Sequence, residues 1–392
     1  MISQRQLALN ILYKVFKENA FANLMMRKSL EVLPPKQRPM VSQLVYGVLR
    51  NYDYLLYQAE AYFNGRTRLR LKLIIALALY ERFYMQEKAY VINNEYTALA
   101  KSSFDKGFVN AVLKNIDTLK SAPKHIEESL PEWLYRLLEK QYSPADFALI
   151  LNNYKREVQV SYRLNHHKCS YADLVDYPIE ILDEDYFSCR DNLINTPMHQ
   201  AGCFYIQDAN SGQLIKPLAL KEDDLFLDAC SAPGSKLFNA LDVVKRAYAN
   251  DVSATRVELI KKQAQVLGFD NITYSVGDAA KLQFDLQFDK ILLDVPCSGL
   301  GVISHRPDIK YNISPTSLDE LQQLQRAILN NIARYLKRGG LMVYSTCTLN
   351  KKENERQIAA FLQDHQDFSC LQQQTIINLQ GDCFYYCLLK RL

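Results

Sequence analysis

From about residue 203 onward, short apolar runs alternate with longer amphipathic segments, and this alternation constrains the fold more than any other feature. The predicted strands are DLFLDA, RAYAND, ITYSVGD, KILLDVP and GLMVYSTC, with CFYYCLLKRL as a late strand. Between them, TRVELIKKQAQVLG and SLDELQQLQRAILNNIARYL have apolar residues at helical spacing. Strands that alternate with helices predict an α/β domain with a doubly wound, mostly parallel sheet. In such sheets, ligands bind at the carboxyl ends of the strands.

The first 124 residues differ in both pattern and charge. ALNILYKVF, LKLIIALALYERFYM and GFVNAVLKNI place apolar residues three and four positions apart, which predicts an all-α region. Residues 1–124 hold 19 Lys and Arg against 9 Asp and Glu, whereas the rest of the chain holds 28 against 34. The basic region is either a module that binds a polyanion such as nucleic acid or a solvated basic surface, and charge alone does not decide between them.

The 392 residues are enough for two or three domains. After a short linker at residues 121–124, LPEWLYRLLEKQYSPADFALILNNY predicts helices and VQVSYRLN predicts a strand. We therefore predict an all-α domain over 1–124, a small helical and α+β segment over 125–202, and the α/β domain over 203–392.

Composition limits the cellular setting and the chemistry. No apolar run approaches the roughly 18 residues of a membrane helix, and the first residues lack a secretion signal. Nine scattered cysteines favour reduced thiols over a disulfide framework, so we expect a cytoplasmic protein without membrane contact. Cys370, Cys383 and Cys387 have no histidine in ligand spacing, since only His365 is near, and we expect no metal site.

Two acidic residues and a loop follow the first three predicted strands. LFLDACSAPGSK, residues 225–236, is either a ligand loop at a helix N-terminus or a tight turn between a strand and a helix. Asp251 follows the next strand, where it either binds ribose hydroxyls or caps a helix. Asp278 is similar, with an adenine contact as the functional interpretation.

Two cysteines follow two further predicted strands. FDKILLDVPCSGLGVISHRPDIKY, residues 288–311, delivers Asp294 and Cys297 to a strand end, and a basic tract follows them. GGLMVYSTCTLNKKENE, residues 339–355, delivers Cys347 to the same edge, followed by a predicted helix start that favours a thiolate. Inert buried cysteines are common. However, two cysteines at neighbouring strand ends are hard to explain as core packing.

FDKILLDVPCSG and STCT together resemble the two signature motifs of the Sun (Fmu) family of RNA cytosine-5 methyltransferases. LVYGVLRN and GFVNAVLKNI resemble the antitermination factor NusB, whose fold occurs as an RNA-binding extension on certain rRNA methyltransferases. The catalytic resemblance covers about residues 125–392, and the NusB-like front narrows it to the bacterial 16S rRNA enzymes. It implies a Rossmann-like methyltransferase domain preceded by two RNA-binding segments, in a monomer that acts on free or early-assembly 16S rRNA.

The resemblance also implies the mechanism and the cofactor. Cys347 would be the nucleophile that adds to carbon 6 of a flipped-out cytosine, and Cys297 would assist product release. DNA cytosine methyltransferases use the cysteine of their Pro-Cys motif as nucleophile, so spacing alone leaves the two roles open. Asp294 would hydrogen-bond the ring nitrogen or the cofactor edge. The residues implied to bind S-adenosyl-L-methionine are Cys230, Ser231, Ala232, Pro233, Gly234, Ser235, Lys236, Asp251, Asp278 and Asp294.

The sequence departs from the family pattern at several positions. Ser235 replaces a usual glycine of the cofactor loop, Ser304 and His305 replace usual arginines, and Tyr311 replaces a usual tryptophan. Two alternative functions stay open: a cytosine-5 methyltransferase that acts on tRNA or another rRNA, and a non-catalytic RNA-binding assembly factor. The second is disfavoured because both thiols and the acidic residues are present.

Overall fold

The computed structural model describes residues 2–63, 65–156 and 158–392. The α-helices are α1 Gln4–Glu18, α2 Ala22–Ser29, α3 Arg38–Ala59, α4 Leu69–Phe83, α5 Ala89–Ala98, α6 Ser103–Lys114, α7 Lys124–Glu127, α8 Glu132–Gln141, α9 Pro144–Lys155, α10 Pro197–Gln200, α11 Ala209–Gln213, α12 Ser235–Leu241, α13 Ala254–Leu267, α14 Ile309–Asn312, α15 Pro315–Ala333 and α16 Glu355–Asp364. The strands are β1 Val160–Leu164, β2 Ile179–Ile181, β3 Tyr186–Cys189, β4 Phe204–Ile206, β5 Leu225–Asp228, β6 Arg246–Asp251, β7 Ile272–Val276, β8 Phe288–Asp294, β9 Leu336–Thr346, β10 Phe368–Ile376 and β11 Phe384–Arg391.

The chain forms two compact units, and one of them is discontinuous in sequence. The first unit contains residues 1–147 and 303–313, and the second contains residues 148–302 and 314–392. The predicted boundaries at 124 and 202 stay predictions. They did not anticipate that residues 303–313, which include the end of the 288–311 motif, belong to the helical unit.

The helical unit has an apolar core because its helices present residues at three- and four-residue spacing. In α1, for example, Ser3 caps the first turn by accepting from the N–H of Gln6, and Leu9 and Leu12 are fully buried. Long α3 and α4 supply much of the remaining core. The predicted all-α front is thus confirmed over its helices α1 to α6.

The segment 303–313 is part of this helical core. The Tyr311 ring lies 5.1 Å from the Phe16 ring and 5.9 Å from the Tyr52 ring. Lys310 is 2 % exposed, and its Nζ donates to the backbone carbonyls of Arg50 (2.9 Å) and Ser129 (2.5 Å). Part of the basic tract after Cys297 therefore stabilises the helical unit and is not a solvent-facing phosphate contact.

The second unit is built on a seven-stranded sheet with the order β10-β11-β9-β8-β5-β6-β7. Pairings from β9 to β7 are parallel, and β11 and β10 add an antiparallel edge. Alternate residues of a strand face opposite sides of a sheet. Phe226 and Leu292 accordingly pack in one core, and Leu227 and Ile291 pack in another. The predicted doubly wound, mostly parallel sheet is confirmed.

A second, four-stranded sheet has the antiparallel order β2-β3-β1-β4 and its own small core. Strands β1 to β3 lie in the predicted 125–202 segment, whereas β4 lies beyond its predicted end. Next to this sheet, Cys169 and Cys203 are joined as a disulfide. The sequence did not predict this pair, which is one link and not the disulfide framework that the cysteine count argued against. The fold brings the two together because the turn after β1 hydrogen-bonds, through the N–H of Asn165, to the carbonyl of Cys203 (2.8 Å).

The sequence did not predict β10. FSCLQQQTI has three consecutive glutamines, and its central residues are exposed, so its pattern is too polar for a sheet core. It is a strand because it pairs along its length with β11, and an edge strand has only one neighbour. Among residues 2–63, 65–156 and 158–392, none of the helices combines the length and apolarity that crossing a bilayer requires.

Candidate active site

Four neighbouring parallel strands deliver the candidate residues to one edge of the large sheet. Asp228 ends β5, Asp251 ends β6 and Asp294 ends β8. In the register of β8 and β9, Asp294 is opposite Ser345, so the chain beyond each strand continues side by side. This register explains why two cysteines 50 positions apart in sequence meet.

The Sγ atoms of Cys297 and Cys347 lie 3.2 Å apart. The Cys347 thiol and burial together raise the pKa of Cys297, which keeps that thiol protonated. The Gly301 N–H donates to the carbonyl of Cys347 (2.8 Å), and a Cβ at Gly301 would lie only 2.8 Å from that carbonyl oxygen. Glycine at 301 thus permits the close approach of the two cysteine-bearing loops.

The predicted helix start directly after Cys347 is wrong. The next helix, α16, begins at Glu355, because residues 347–354 form a loop held by side-chain hydrogen bonds. No helix N-terminus therefore follows Cys347 directly. The positive charge that interacts with Cys347 is that of Lys236, the last residue of the 225–236 motif.

Asp294 forms an ion pair at the carboxyl edge of the sheet, and we call the part of this edge that contains Asp228 and Asp294 the cleft side of the thiols. Its Oδ2 lies 2.7 Å from Nζ of Lys236, and its Oδ1 accepts from the Ser345 hydroxyl (3.0 Å). Burial lowers the pKa of Lys236, but Asp294 and, to a lesser extent, Cys347 outweigh burial and raise the pKa overall. Lys236 is therefore a fixed positive charge beside Asp294.

The end of β5, next to the loop 230–236, leaves a buried acceptor for a ligand. Asp228 is 1 % exposed, and its Oδ1 has no hydrogen-bond partner among the described residues. Burial and the Asp294 carboxylate raise the pKa of Asp228 to about 8. A buried acidic oxygen without a donor is costly unless a ligand supplies one. The adjacent Gly234 has a φ of +108°, which lets the chain turn directly into α12.

The structure also places the remaining predicted cofactor residues. Asp251 accepts from the N–H groups of Ala232 (3.3 Å) and Ser253 (2.9 Å), so it connects β6 to the loop. Ser253, not Asp251, is the N-cap of α13, so the capping alternative is wrong for Asp251. Asp278 follows β7 and accepts from the N–H of Ala280 (3.0 Å).

Sequence reasoning missed a buried carboxylate behind the thiols. Glu353 is fully buried and accepts hydrogen bonds from Ser298, Gln325 and Asn350. It lies within the quoted motif GGLMVYSTCTLNKKENE, and an acidic residue six positions after a candidate nucleophile was the available signal. Among the described residues, no group of three His, Cys, Asp or Glu is arranged to hold a metal ion.

Comparison with known proteins identifies the family of both regions. A family model described as 16S rRNA methyltransferase RsmB/F matches residues 215–382, and the NusB family model matches residues 2–118. The probable ribosomal RNA small subunit methyltransferase B of Bacillus subtilis is 32 % identical over 93 % of this chain and 89 % of its own length. Ribosomal RNA small subunit methyltransferase B of Yersinia enterocolitica is 31 % identical over 91 % of each.

A solved structure shows the same fold. The crystal structure of PH0851 superposes with a TM-score of 0.81 at 18 % identity, covering 100 % of this chain and 99 % of that chain. With the fold, the strand-end residues and the relatives in agreement, the chain belongs to the RsmB/F family of 16S rRNA methyltransferases and has a NusB family region at its front.

Proposed function

We propose that this chain, a family member and therefore an S-adenosylmethionine-dependent rRNA methyltransferase, methylates carbon 5 of a cytosine in 16S rRNA through a covalent intermediate on Cys347. The observation that carries the proposal is the pair of thiols 3.2 Å apart beside the ion pair of Asp294 and Lys236. A thiol pair at neighbouring strand ends, with a fixed charge next to it, suits nucleophilic catalysis on a weakly reactive ring.

The cofactor residues are proposed from the fit of the loop. When bound, S-adenosylmethionine supplies a methyl group on a positively charged sulfur. The carboxylate of Asp294 suits that charge, and the Asp228 carboxyl has an oxygen with no partner among the described residues. The small residues of the loop 230–236 let backbone approach the methionine end. Asp251 would bind the ribose and Asp278 the adenine. Ser235, the first residue of α12, adds a hydroxyl at the loop's end.

The two thiols are proposed to act in sequence on the base. The Cys347 sulfur bonds to carbon 6 of cytosine, which makes carbon 5 nucleophilic. Asp294 hydrogen-bonds the protonated ring nitrogen, and Lys236 holds that carboxyl in place. Carbon 5 would then take the methyl group. Once a base has removed the carbon 5 proton, the ring double bond re-forms, the bond from carbon 6 to the Cys347 sulfur breaks and the ring nitrogen gives up its added proton. Cys297, within 3.2 Å, donates its proton to the departing sulfur.

The helical unit is proposed to bind the RNA backbone. It contains a cavity of about 500 Å³ whose lining includes Tyr13, Lys17, Arg68, Arg70 and Lys101. Arg68 forms an ion pair with Asp105, which leaves a net positive lining. Phosphates attract such clusters, and an aromatic ring offers a base a stacking surface. We further propose that the protein is a cytoplasmic monomer and acts on free or early-assembly rRNA.

The first experiment tests the chemistry and the substrate. We expect wild-type protein to form a covalent adduct with 16S RNA that contains 5-azacytosine, because the ring nitrogen at position 5 blocks proton removal. We also expect transfer of tritiated methyl to unmodified small-subunit rRNA, and a bisulfite map with and without the gene identifies the base. Neither adduct nor transfer would contradict the proposal, and a modified tRNA or large-subunit rRNA base would replace the substrate.

The second experiment tests the roles of the two thiols. We expect Cys347→Ser to abolish adduct and turnover, with a loss on the order of 10⁴-fold. Cys297→Ser should leave ordinary RNA covalently trapped. The matched control is Cys370→Ser, since Cys370 and Cys387 form another thiol pair, 3.3 Å apart, on the antiparallel edge of the same sheet. The control should keep turnover, and trapping by Cys347→Ser would reverse the two roles.

A further inference from the structure

Glu353 is the centre of a buried hydrogen-bond network next to the two thiols, and we call Glu353 with Ser298, Gln325 and Asn350 the clamp. Its Oε2 accepts from the N–H of Ser298 (2.9 Å) and from Nε2 of Gln325 (2.9 Å). Its Oε1 accepts from the Ser298 hydroxyl (2.6 Å) and from Nδ2 of Asn350 (3.0 Å). Each carboxylate oxygen thus has two donors. Among the described residues, no Lys, Arg or His forms an ion pair with Glu353.

The clamp holds the residues on both sides of Cys297. Gln325, which is fully buried in α15, donates to Glu353 and also to the carbonyl of Pro296 (3.0 Å). Ser298 is held through its N–H and its hydroxyl. The backbone is therefore fixed immediately before and immediately after the Cys297 thiol.

The same clamp reaches the Cys347 loop. The Thr348 hydroxyl lies 2.6 Å from the Ser298 hydroxyl, and Asn350 donates to Glu353. The backbone carbonyl of Glu353 accepts from the Tyr344 hydroxyl (2.7 Å) on β9. One buried carboxylate therefore connects the loops that carry the two thiols.

We propose that Glu353 is a positioning residue that holds Cys297 within proton-transfer distance of the Cys347 sulfur. This inference rests on the proposed function, in which Cys297 releases the product. If the hydrogen bonds of Glu353 served only to offset its burial, donors from any part of the chain would be sufficient. Here three of its four hydrogen bonds come from Ser298 or from the glutamine that also holds Pro296. Such a shell fixes the geometry of a reacting group without contacting the substrate.

Glu353→Gln tests the inference because the amide keeps the side chain's size. Its NH₂ would face groups that donate to the carboxylate, so at least one of the four hydrogen bonds is lost, the others rearrange and the Cys297 loop shifts. We expect kcat to fall at least about tenfold with KM for RNA changed less than about twofold. We also expect ordinary RNA to accumulate as a covalent adduct, as with Cys297→Ser, because Cys347 still attacks. Lys352→Met, which removes a surface ion pair to Asp319 at the neighbouring position, is the matched control and should change neither value.

The outcomes separate this inference from the proposed function. If Cys297→Ser traps RNA and Glu353→Gln turns over like wild type, the positioning role is wrong and the proposed function stands. If Cys297→Ser does not trap RNA, the release role itself fails. If Glu353→Gln is poorly folded, Gln325→Met is used, since it removes the bond to Pro296 and one bond to Glu353. A parallel loss of adduct and turnover in folded Gln325→Met would show a merely structural role and overturn the inference.

Discussion

The carboxylates on the cleft side of the thiols differ from the carboxylate behind them. Asp228 has an oxygen with no partner among the described residues, and Asp294 is paired with a lysine at the cleft. Glu353 instead has four hydrogen bonds from uncharged donors and is fully buried. The sheet edge near the thiols therefore has one polar region with an unfilled hydrogen-bond acceptor, at Asp228, and one in which both carboxylate oxygens are hydrogen-bonded, at Glu353.

This difference separates binding from positioning. A group that faces a ligand keeps unused hydrogen-bonding capacity, since the ligand completes it. A group that orients a neighbouring loop gains most when all its bonds are made in the free protein, because a fully satisfied network is rigid. Substitutions on the cleft side should therefore change chemistry and charge, and substitutions in the clamp should change product release.

Among the carboxylates near the thiols, the largest effect is expected for Asp294→Asn. The amide removes the negative charge that pairs with Lys236 and that would stabilise the protonated ring of the base, so kcat should fall about 10²- to 10³-fold. Steady-state methyl transfer measures the loss. Asp289→Asn is the matched control, because Asp289 lies on the same strand and pairs with Lys337 at 2.8 Å, away from the thiols. Equal losses in both variants would remove the special role of the cleft ion pair.

Asp228→Asn should change the pH dependence of stability. Folded Asp228 keeps its proton up to a pKa of about 8, whereas an unfolded aspartate loses it near 3.8. Between these values the folded state binds more protons, so wild-type stability falls as pH rises. The asparagine variant lacks this slope. Relative to wild type, its melting temperature without cofactor should therefore rise by roughly 2 °C or more between pH 5 and pH 8.

The control for that measurement is again Asp289→Asn. Partial burial opposes the shift, but Lys337 lowers the pKa of Asp289, so its contribution to stability is present at both pH values. The difference between this variant and wild type should be the same at pH 5 and pH 8. A pH-independent difference for Asp228→Asn as well would mean that Asp228 is already ionised in the folded protein.

The smallest effect is expected for Ser298→Ala. The hydroxyl that donates to Glu353 is lost, but the N–H of residue 298 still donates, so product release should slow only about three- to tenfold. The trapped fraction of ordinary RNA in a single-turnover assay measures this. Ser345→Ala removes a similar hydroxyl from Asp294 on the cleft side and should not increase trapping. Trapping in both variants would end the distinction between the two regions.

The sequence predicted the sheet and the meeting of the thiols because both depend on local patterns. Apolar runs marked β8 and β9, and parallel neighbours end at the same edge. The clamp was not predictable in this way, since two of the three residues that donate to Glu353 are 28 and 55 positions away. Strand β10 was missed because its pairing with β11, not its own polar sequence, makes it a strand.

The assignment of residues 303–313 to the helical unit affects the order in which the chain can be completed. During synthesis, helices α1 to α8 emerge first, yet the lysine that satisfies the carbonyls of Arg50 and Ser129 is residue 310. The ribosome must therefore translate residues 148–302 before the helical unit has all of its parts. When the front helices fold as they emerge, the place of Lys310 beside these two carbonyls stays empty until the segment that carries Cys297 has been synthesised.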